Sequence, residues 1–309
     1  MPMDPTQGDH QLKEVLQWCA SIVGAFEIAS DDPRLHGRTS VYRLKTSSLS
    51  CYLKIHRERA AWEREVCGHE HWAVAFGSLA PKVLGVYEAE PGAVLFEALP
   101  GQIMEKARLS VRQEETVWHA AGRALAGLHR FVKGKYFGSC RRDDSVGPDG
   151  ESEATEFVSA ELEKLAAQSV RASYLSDDEM AVVNNARDLV PAFARERPTP
   201  CHRDYCPDNW LVNDEGNFAG VIDFEFSRWD VRVADLSRYP GWEWMHKPNL
   251  LEAFFDGYGL SLTPEEERQL LVARTQYALE AIVWGNENAY YGFVEEGRQA
   301  LGQLAKVLG

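Results

Sequence analysis

Cys201-His202-Arg203-Asp204-Tyr205-Cys206-Pro207-Asp208-Asn209-Trp210-Leu211-Val212 is the stretch that decides how this chain is read, together with Val221-Ile222-Asp223-Phe224-Glu225 just after it. An Asp in a loop, an Asn five residues on and a second Asp closing an apolar run are the parts of an Mg-nucleotide phosphoryl-transfer site. In the spacing H-x-D-x-x-x-x-N the Asp takes the proton of an acceptor hydroxyl and the Asn holds a metal. The later Asp, leaving a strand, holds the metal that bridges the phosphates. Each fragment alone is weak. Their order, with Leu211-Val212 and Val221-Ile222 as strand signals, makes the combination strong.

These residues resemble the aminoglycoside phosphotransferase and choline kinase superfamily, a branch of the protein-kinase-like fold. Members more often carry Gly where this chain has Arg203, and they place an acidic residue after Asp-Phe, as Glu225 does here. A protein kinase has Gly at that point, so Glu225 directs the reading to small-molecule kinases. The resemblance runs from about Val41 to Asp235. It implies an α+β fold of two lobes: a small N-lobe with a five-stranded antiparallel sheet and one helix, and a larger, mainly helical C-lobe. The expected division is a tail and helix over 1–23, a nucleotide-binding lobe over 24–99, and a catalytic and substrate-binding lobe over 100–309.

The pattern along the chain agrees. Leu12, Val15, Leu16, Cys19 and Ile22 recur at helical spacing, after a tail expected to fray up to Asp9. Ala25–Ile28, Ser40–Leu44, Ser50–Ile55, Val83–Tyr87 and Ala93–Phe96 read as five strands, with a helix over Arg57–Ala75 between the third and fourth. Beyond Pro100-Gly101 the helical segments begin, clearest over Glu114–Phe131 and again over Ala154–Ala167; Gly138–Gly150 reads as loop.

Lys54 stands inside the third strand, in Tyr52-Leu53-Lys54-Ile55, where an ammonium is costly unless paired. The resemblance makes it the lysine that holds the nucleotide phosphates. Glu58, Glu63, Glu65 and Glu70 are all available on the following helix as its partner, and the run Trp62-Glu63-Arg64-Glu65-Val66 matches the family site with Glu65 in the pairing position. Leu35-His36-Gly37-Arg38-Thr39-Ser40 carries one Gly rather than three. The hydroxyls of Thr39 and Ser40 with nearby backbone N–H groups can cap phosphates there, and an ordinary hairpin turn is an equal reading. Glu97 and Leu99 fall where the family's hinge bonds the adenine edge through its backbone.

Asp204 is the expected catalytic residue, orienting the acceptor hydroxyl and taking its proton. Asn209 and Asp223 are the expected Mg2+ ligands, hard oxygens suited to that ion. His202 is expected to hold the loop and Arg203 to form an internal ion pair, and Asp235 matches a family position that buttresses the catalytic loop. Glu225 can serve a second metal or face the substrate. ATP is the implied co-substrate, with GTP open.

For the acceptor, Thr263-Pro264-Glu265-Glu266 reads as a capped helix start, and Glu280, Trp284, Glu287 and Tyr291 then fall on one helical face. Two carboxylates and two aromatics suit a cationic hydroxyl acceptor, with Trp242, Glu243 and Trp244 as further candidates. An antibiotic of the aminoglycoside type is the leading expectation. A metabolic kinase of the choline, homoserine or methylthioribose type is the alternative, and a pseudokinase binding module the third, disfavoured because Lys54, Asp204, Asn209 and Asp223 are all present.

The net charge of −14 opposes a nucleic-acid or anionic-membrane partner and fits a cationic substrate as well as simple solubility. No apolar run approaches the ~20 residues needed to span a bilayer. Six cysteines without a C-x-x-C pair are expected to be reduced, as in a cytoplasmic protein, either monomeric or homodimeric.

Overall fold

The structure, a computed structural model, describes residues 5–32, 39–143, 145–238, 247–259 and 262–308. Its first helix, α1 (Pro5–Val23), begins within the expected tail. Five strands follow: β1 (Glu27–Asp32), β2 (Thr39–Lys45), β3 (Ser50–His56), β4 (Val83–Tyr87) and β5 (Ala93–Glu97). They pair antiparallel in the order β1-β2-β3-β5-β4, which puts Lys54 on the central strand between Val41 and Val94. The sheet is covered on both faces. Val15 and Cys19 of α1 pack with Leu44, Leu53 and Leu95, while Trp62 and Val66 pack with Val94 and Phe96 on the other side. Alternation along the strands produces both layers, since successive side chains leave a strand on opposite faces.

Trp62 and Val66 belong to α2 (Arg59–Cys67), which is shorter than the helix expected over Arg57–Ala75. At Gly68 the chain opens into a wider turn over Gly68–Trp72, then tightens over Ala73–Leu79. A Cβ at Gly68 would lie 3.1 Å from Phe224 Cβ and 3.3 Å from Ser227 Cβ. The helix is interrupted where the segment carrying Asp223 presses against it, and widened turns of this kind recur at functional sites.

The second lobe is built on α3 (Val111–Phe131), α4 (Ala154–Arg171), α5 (Asp177–Arg187), α6 (Pro248–Tyr258), α7 (Pro264–Glu287) and α8 (Tyr291–Leu308). The predicted cap of α7 is present: Thr263 Oγ1 accepts from Glu266 N at 3.2 Å, and Thr263 N donates to Glu266 Oε2 at 2.7 Å. Small sheets carry the loops between helices. β9 (Trp210–Val212) lies between β10 (Phe218–Val221) and β6 (Gln102–Ile103), and β11 (Arg228–Asp230) between β7 (Gly138–Ser139) and β8 (Thr199–Cys201). The predicted loop over Gly138–Gly150 therefore contains one short strand.

Helices α3 and α6 cross backbone to backbone. A Cβ at Gly122 would meet Phe254 O at 2.0 Å, and one at Gly257 would meet His119 O at 1.9 Å. This approach brings Tyr258 onto His129, 2.6 Å from Nδ1 to hydroxyl, directly beneath the catalytic loop. Gly122→Leu is expected to lower the unfolding free energy by about 3 kcal/mol or more, because backbone, unlike a side chain, cannot yield to overpacking. Urea denaturation reads this, and an unchanged midpoint would show that the helices separate freely.

The expectation that all six cysteines are reduced does not hold. Cys67 at the end of α2 and Cys140 just after β7 form a disulfide, with Cα atoms 6.1 Å apart. The other four, Cys19, Cys51, Cys201 and Cys206, are free and buried. No helix among the described residues is long and apolar enough to cross a membrane.

Candidate active site

The cleft between the lobes gathers one cation and three carboxylates from four places in the sequence. Lys54 Nζ lies 2.5 Å from Glu65 Oε2, 2.6 Å from Asp223 Oδ1 and 3.1 Å from Glu225 Oε2. Of the four acids available on and beside α2, Glu65 is the one that meets the lysine: Glu63 pairs with Arg59, and Glu70 with Arg142. Glu65 is almost fully buried, and its other oxygen accepts from Phe224 N at 3.3 Å and faces His69 Nε2 at 3.4 Å. Burial alone would push the Glu65 carboxyl up, but Lys54, His69 and His56 outweigh it and hold the group well below the usual carboxylate range. For Lys54 burial works downward, and Asp223, Glu65 and Glu225 reverse it, so the ammonium stays charged. His56 beside them is pushed down to about 4 by burial and by Lys54.

The segment after β10 is fixed from the N-lobe. Arg64 Nε donates to Glu225 O at 2.6 Å, and Thr39 Oγ1 donates to Glu225 Oε2 at 3.0 Å. Thr39 is thus engaged with the acidic cluster. Ser40 sits opposite Ile55 on the β2–β3 ladder, and residues 35–38 of the expected phosphate loop lie outside the described residues. Glu97 ends β5, its N–H donating to Lys82 O at 2.8 Å, and Leu99 follows in the connection between lobes. Nothing in the spacing of α2 marked Arg64; its role depends on a carbonyl 161 residues away.

The loop between β8 and β9, which carries Asp204, is held by Asp235. Asp235 Oδ2 accepts from His202 N at 2.8 Å and Oδ1 from Arg203 N at 2.5 Å, while His129 Nε2 lies 3.0 Å from Oδ2. Burial would raise the Asp235 carboxyl, but His129, His202 and the backbone N–H of Arg203 bring it below its ordinary value. His202 is buried, its imidazole pushed down by desolvation. Its Nδ1 accepts from Asp204 N at 3.3 Å, which leaves the proton on Nε2, 3.1 Å from Ile222 O. One neutral ring therefore ties the Asp204 loop to the strand that delivers Asp223.

Two residues of this site adopt positive φ: Arg203 at 68° and Asp223 at 72°. The left-handed conformation costs an L-residue about 1–2 kcal/mol and Gly almost nothing, which explains why Gly is common at the position of Arg203. Here the cost is offset by contacts Gly cannot make. Arg203 Nη2 reaches Glu280 at 3.1 Å and its Nε reaches Asp230 at 3.4 Å. Asp230 also binds Arg228, which pairs with Glu161 at 2.8 Å.

Asp235→Asn should lower stability by about 2 kcal/mol, because an amide oxygen replaces only one of the two acceptors and leaves a buried donor unpaired. In steady-state assays kcat should fall with Mg-nucleotide affinity unchanged; equal stability and kcat would remove Asp235 from its buttressing place.

Asp204 itself is hydrogen-bonded on both oxygens. Asn209 Nδ2 donates to Oδ2 at 2.7 Å and to the Asp204 carbonyl at 2.9 Å, and Arg238 forms an ion pair with Oδ1. With Nδ2 so engaged, the amide oxygen of Asn209 is its atom available to a cation. Three carboxylates around one lysine leave the cluster rich in negative charge, and the Glu225 carboxyl is pushed up by burial and by Asp223 and Glu65 against the pull of Lys54. Oxygen donors in a cluster short of positive charge fit Mg2+, with Asn209 and Asp223 as protein ligands and Glu225 beside them.

The expected acceptor stripe is dispersed. Glu280 binds Arg203, and Glu287 accepts from Gln168 at 2.6 Å on α4. Trp284 packs against Tyr290 and Phe293, at centroid distances of 5.8 and 5.4 Å, and Tyr291 is 71 % exposed. Residues 242–244 lie outside the described residues. Arg238, which the sequence reading did not single out, meets Asp204 from this side, and Tyr277 in turn meets Arg238.

Comparison with known proteins gives the same fold. A crystal structure of a thermostable mutant of the aminoglycoside phosphotransferase APH(4)-Ia, a ternary complex with AMP-PNP and hygromycin B, superposes with a TM-score of 0.69 at 12 % identity, covering 95 % of this chain and 98 % of the other. The GDP and kanamycin complex of APH(2")-IIia gives 0.68 at 12 % identity, over 94 % and 98 %. A homoserine kinase of Phenylobacterium zucineum (strain HLK1) is 31 % identical over 132 residues, which is 42 % of this chain. The match spans about a third of that relative's length, 36 %. The model of the phosphotransferase enzyme family matches residues 33–270, from just after β1 through the loop carrying Asp204 and into α7, and the chain belongs to that family.

Proposed function

We propose that the chain transfers the γ-phosphoryl group of Mg-ATP to a hydroxyl of a small molecule. The observation that carries this reading is the meeting of Lys54, Glu65 and Asp223 within hydrogen-bond distance in the same cleft as the Asp204–Asn209 pair. Lys54, held by Glu65, takes the nucleotide phosphates when Asp223 turns to the metal. Mg2+, bound by Asn209 and Asp223, would neutralise charge on the phosphates. Asp204 orients the acceptor hydroxyl and accepts its proton, and Asp235, His202 and His129 keep the loop rigid. The barrier falls chiefly through positioning and charge neutralisation, since a loose phosphoryl-transfer transition state asks little covalent chemistry of the protein.

Two acceptor classes are in view. An aminoglycoside-type antibiotic is supported by the fold shared with enzymes solved with hygromycin B and kanamycin. A hydroxy amino acid is supported by the homoserine kinase match and by the arginine at Asp204. Dependence on Mg-ATP puts the reaction in the cytoplasm. Mg-ATP-dependent ADP release across aminoglycosides, choline and hydroxy amino acids tests the reading, with Asp204→Asn as the blank. Acceptor-dependent release lost in the variant supports it; release that the variant retains sinks it.

A further inference from the structure

We propose that Arg238, backed by Tyr277, is the counter-charge for a carboxylate on the acceptor, so that the molecule phosphorylated is a hydroxy acid rather than a purely cationic compound. The inference rests on the phosphotransferase reading above and names the substrate class of that site.

A base that must receive a proton needs a free oxygen, and Asp204 has both oxygens engaged. One partner has to give way. Asn209 is the fixed one: it lies on the same loop, and its amide also holds the Asp204 carbonyl at 2.9 Å. Arg238 comes from a different segment, two residues past the short helical turn Arg232–Leu236. Its guanidinium also meets the Tyr277 hydroxyl on α7. That hydroxyl in turn donates to Glu296 Oε1 at 2.6 Å, so Tyr277 is set as an acceptor toward Arg238.

A guanidinium that leaves one carboxylate in a mostly buried cleft needs another anion of similar shape. Its planar fork matches carboxylate geometry and is poorly served by water alone at such a place. Arg238 is 21 % exposed and Asp204 16 %, so an acceptor entering from the cleft reaches both. An incoming carboxylate takes the fork of Arg238, and the adjacent hydroxyl meets the Asp204 oxygen thereby released. No bond breaks in this exchange; it couples recognition of the acid to freeing of the base.

The surrounding acids are engaged elsewhere. Glu280 is paired with Arg203, Glu296 accepts from the Tyr277 hydroxyl, and Glu287 accepts from Gln168. The charged donor beside the reacting oxygen is an arginine, and an ammonium placed there would face like charge.

The experiment measures ADP release with L-serine, L-homoserine and 4-hydroxybutyrate, each against its amide, and with kanamycin, hygromycin B and choline. Wild type, Arg238→Gln and Arg238→Lys are compared. The expected result is an acid turned over roughly 100-fold better in kcat/KM than its amide, a preference of the size that an unsatisfied buried donor imposes. Arg238→Gln should abolish that preference by raising KM for the acid while the amide, which no longer has to displace a guanidinium from Asp204, gains in kcat, and Arg238→Lys should restore part of the preference. Mg-ATP affinity unchanged in both variants excludes misfolding. Turnover confined to acceptors without an acid group overturns the inference and leaves the kinase reading intact. So does an equal fall in kcat for acid and amide, which would place Arg238 on the transferring phosphoryl. Absence of turnover with every probe, with Mg-ATP still bound, counts against the phosphotransfer reading and takes the inference with it.

Discussion

Asp204→Asn lowers kcat by roughly 10³-fold, in the range general-base removal gives, while nucleotide binding stays within a factor of a few. The two effects separate because Asp204 contacts Asn209 and Arg238, whereas the phosphate-binding side of the cleft is organised around Lys54, Glu65 and Asp223. Asn preserves the shape and an oxygen that accepts from Asn209 Nδ2, so the loop held by Asp235 and His202 keeps its path. Loss of the charge removes both the proton acceptor and the ion pair with Arg238. Single-turnover measurement of phosphoryl transfer, alongside titration of Mg-ATP, reads the two quantities independently. An unchanged rate would take Asp204 out of the chemistry. A parallel collapse of binding would instead indicate that the variant disturbs the whole cleft.

Asp223→Asn gives the opposite pattern, with Mg-dependent nucleotide affinity falling roughly 10–100-fold, as for removal of a metal-site partner. Asn is the appropriate substitution because Asp223 sits at φ 72°, where Asn is tolerated and Ala is strained. Lys54 keeps Glu65 at 2.5 Å and Glu225 at 3.1 Å, so the lysine remains charged and placed when one of its three carboxylates is lost. Calorimetric titration of ATP with Mg2+ and again with EDTA isolates the metal-linked part. Wild type should lose that part in EDTA, and the variant should already lack it. Identical Mg2+ dependence in the two proteins would disqualify Asp223 as a ligand.

The sequence was most legible where function demands residues at short, fixed separations. Asp204 and Asn209 are five apart on one loop, a spacing that lets Asn209 Nδ2 donate to Asp204 Oδ2 at 2.7 Å. The inner strands were readable because their side chains face two buried layers, whereas the first, expected over Ala25–Ile28, runs Glu27–Asp32 at an exposed edge and shares only its first two residues with the expected span. The helix after β3 was overextended in the reading because periodicity does not register what Gly68 packs against. That contact is with Phe224, which no local pattern links to it.

The acceptor side was least legible. Glu280, Trp284, Glu287 and Tyr291 form a sound helical stripe in sequence, yet their partners come from the catalytic loop, from α4 and from α8, and each draws its residue to a different task. Arg238 carries no motif. It matters because the turn after Asp235 brings it to Asp204 while α7 supplies Tyr277, and such an approach has no spacing to betray it. The disulfide is of the same kind, joining positions 73 residues apart with no paired-cysteine signature.

By itself, then, the sequence marked out the residues that the fold gathers into the candidate site: the strand lysine, the loop with its Asp and Asn, and the second Asp, each set by a local spacing. Tertiary structure alone decided what holds Glu225 and Asp204, and which charged side chain stands beside Asp204. Those outcomes depend on which distant side chains are buried together, and burial is a property of the folded whole rather than of any segment.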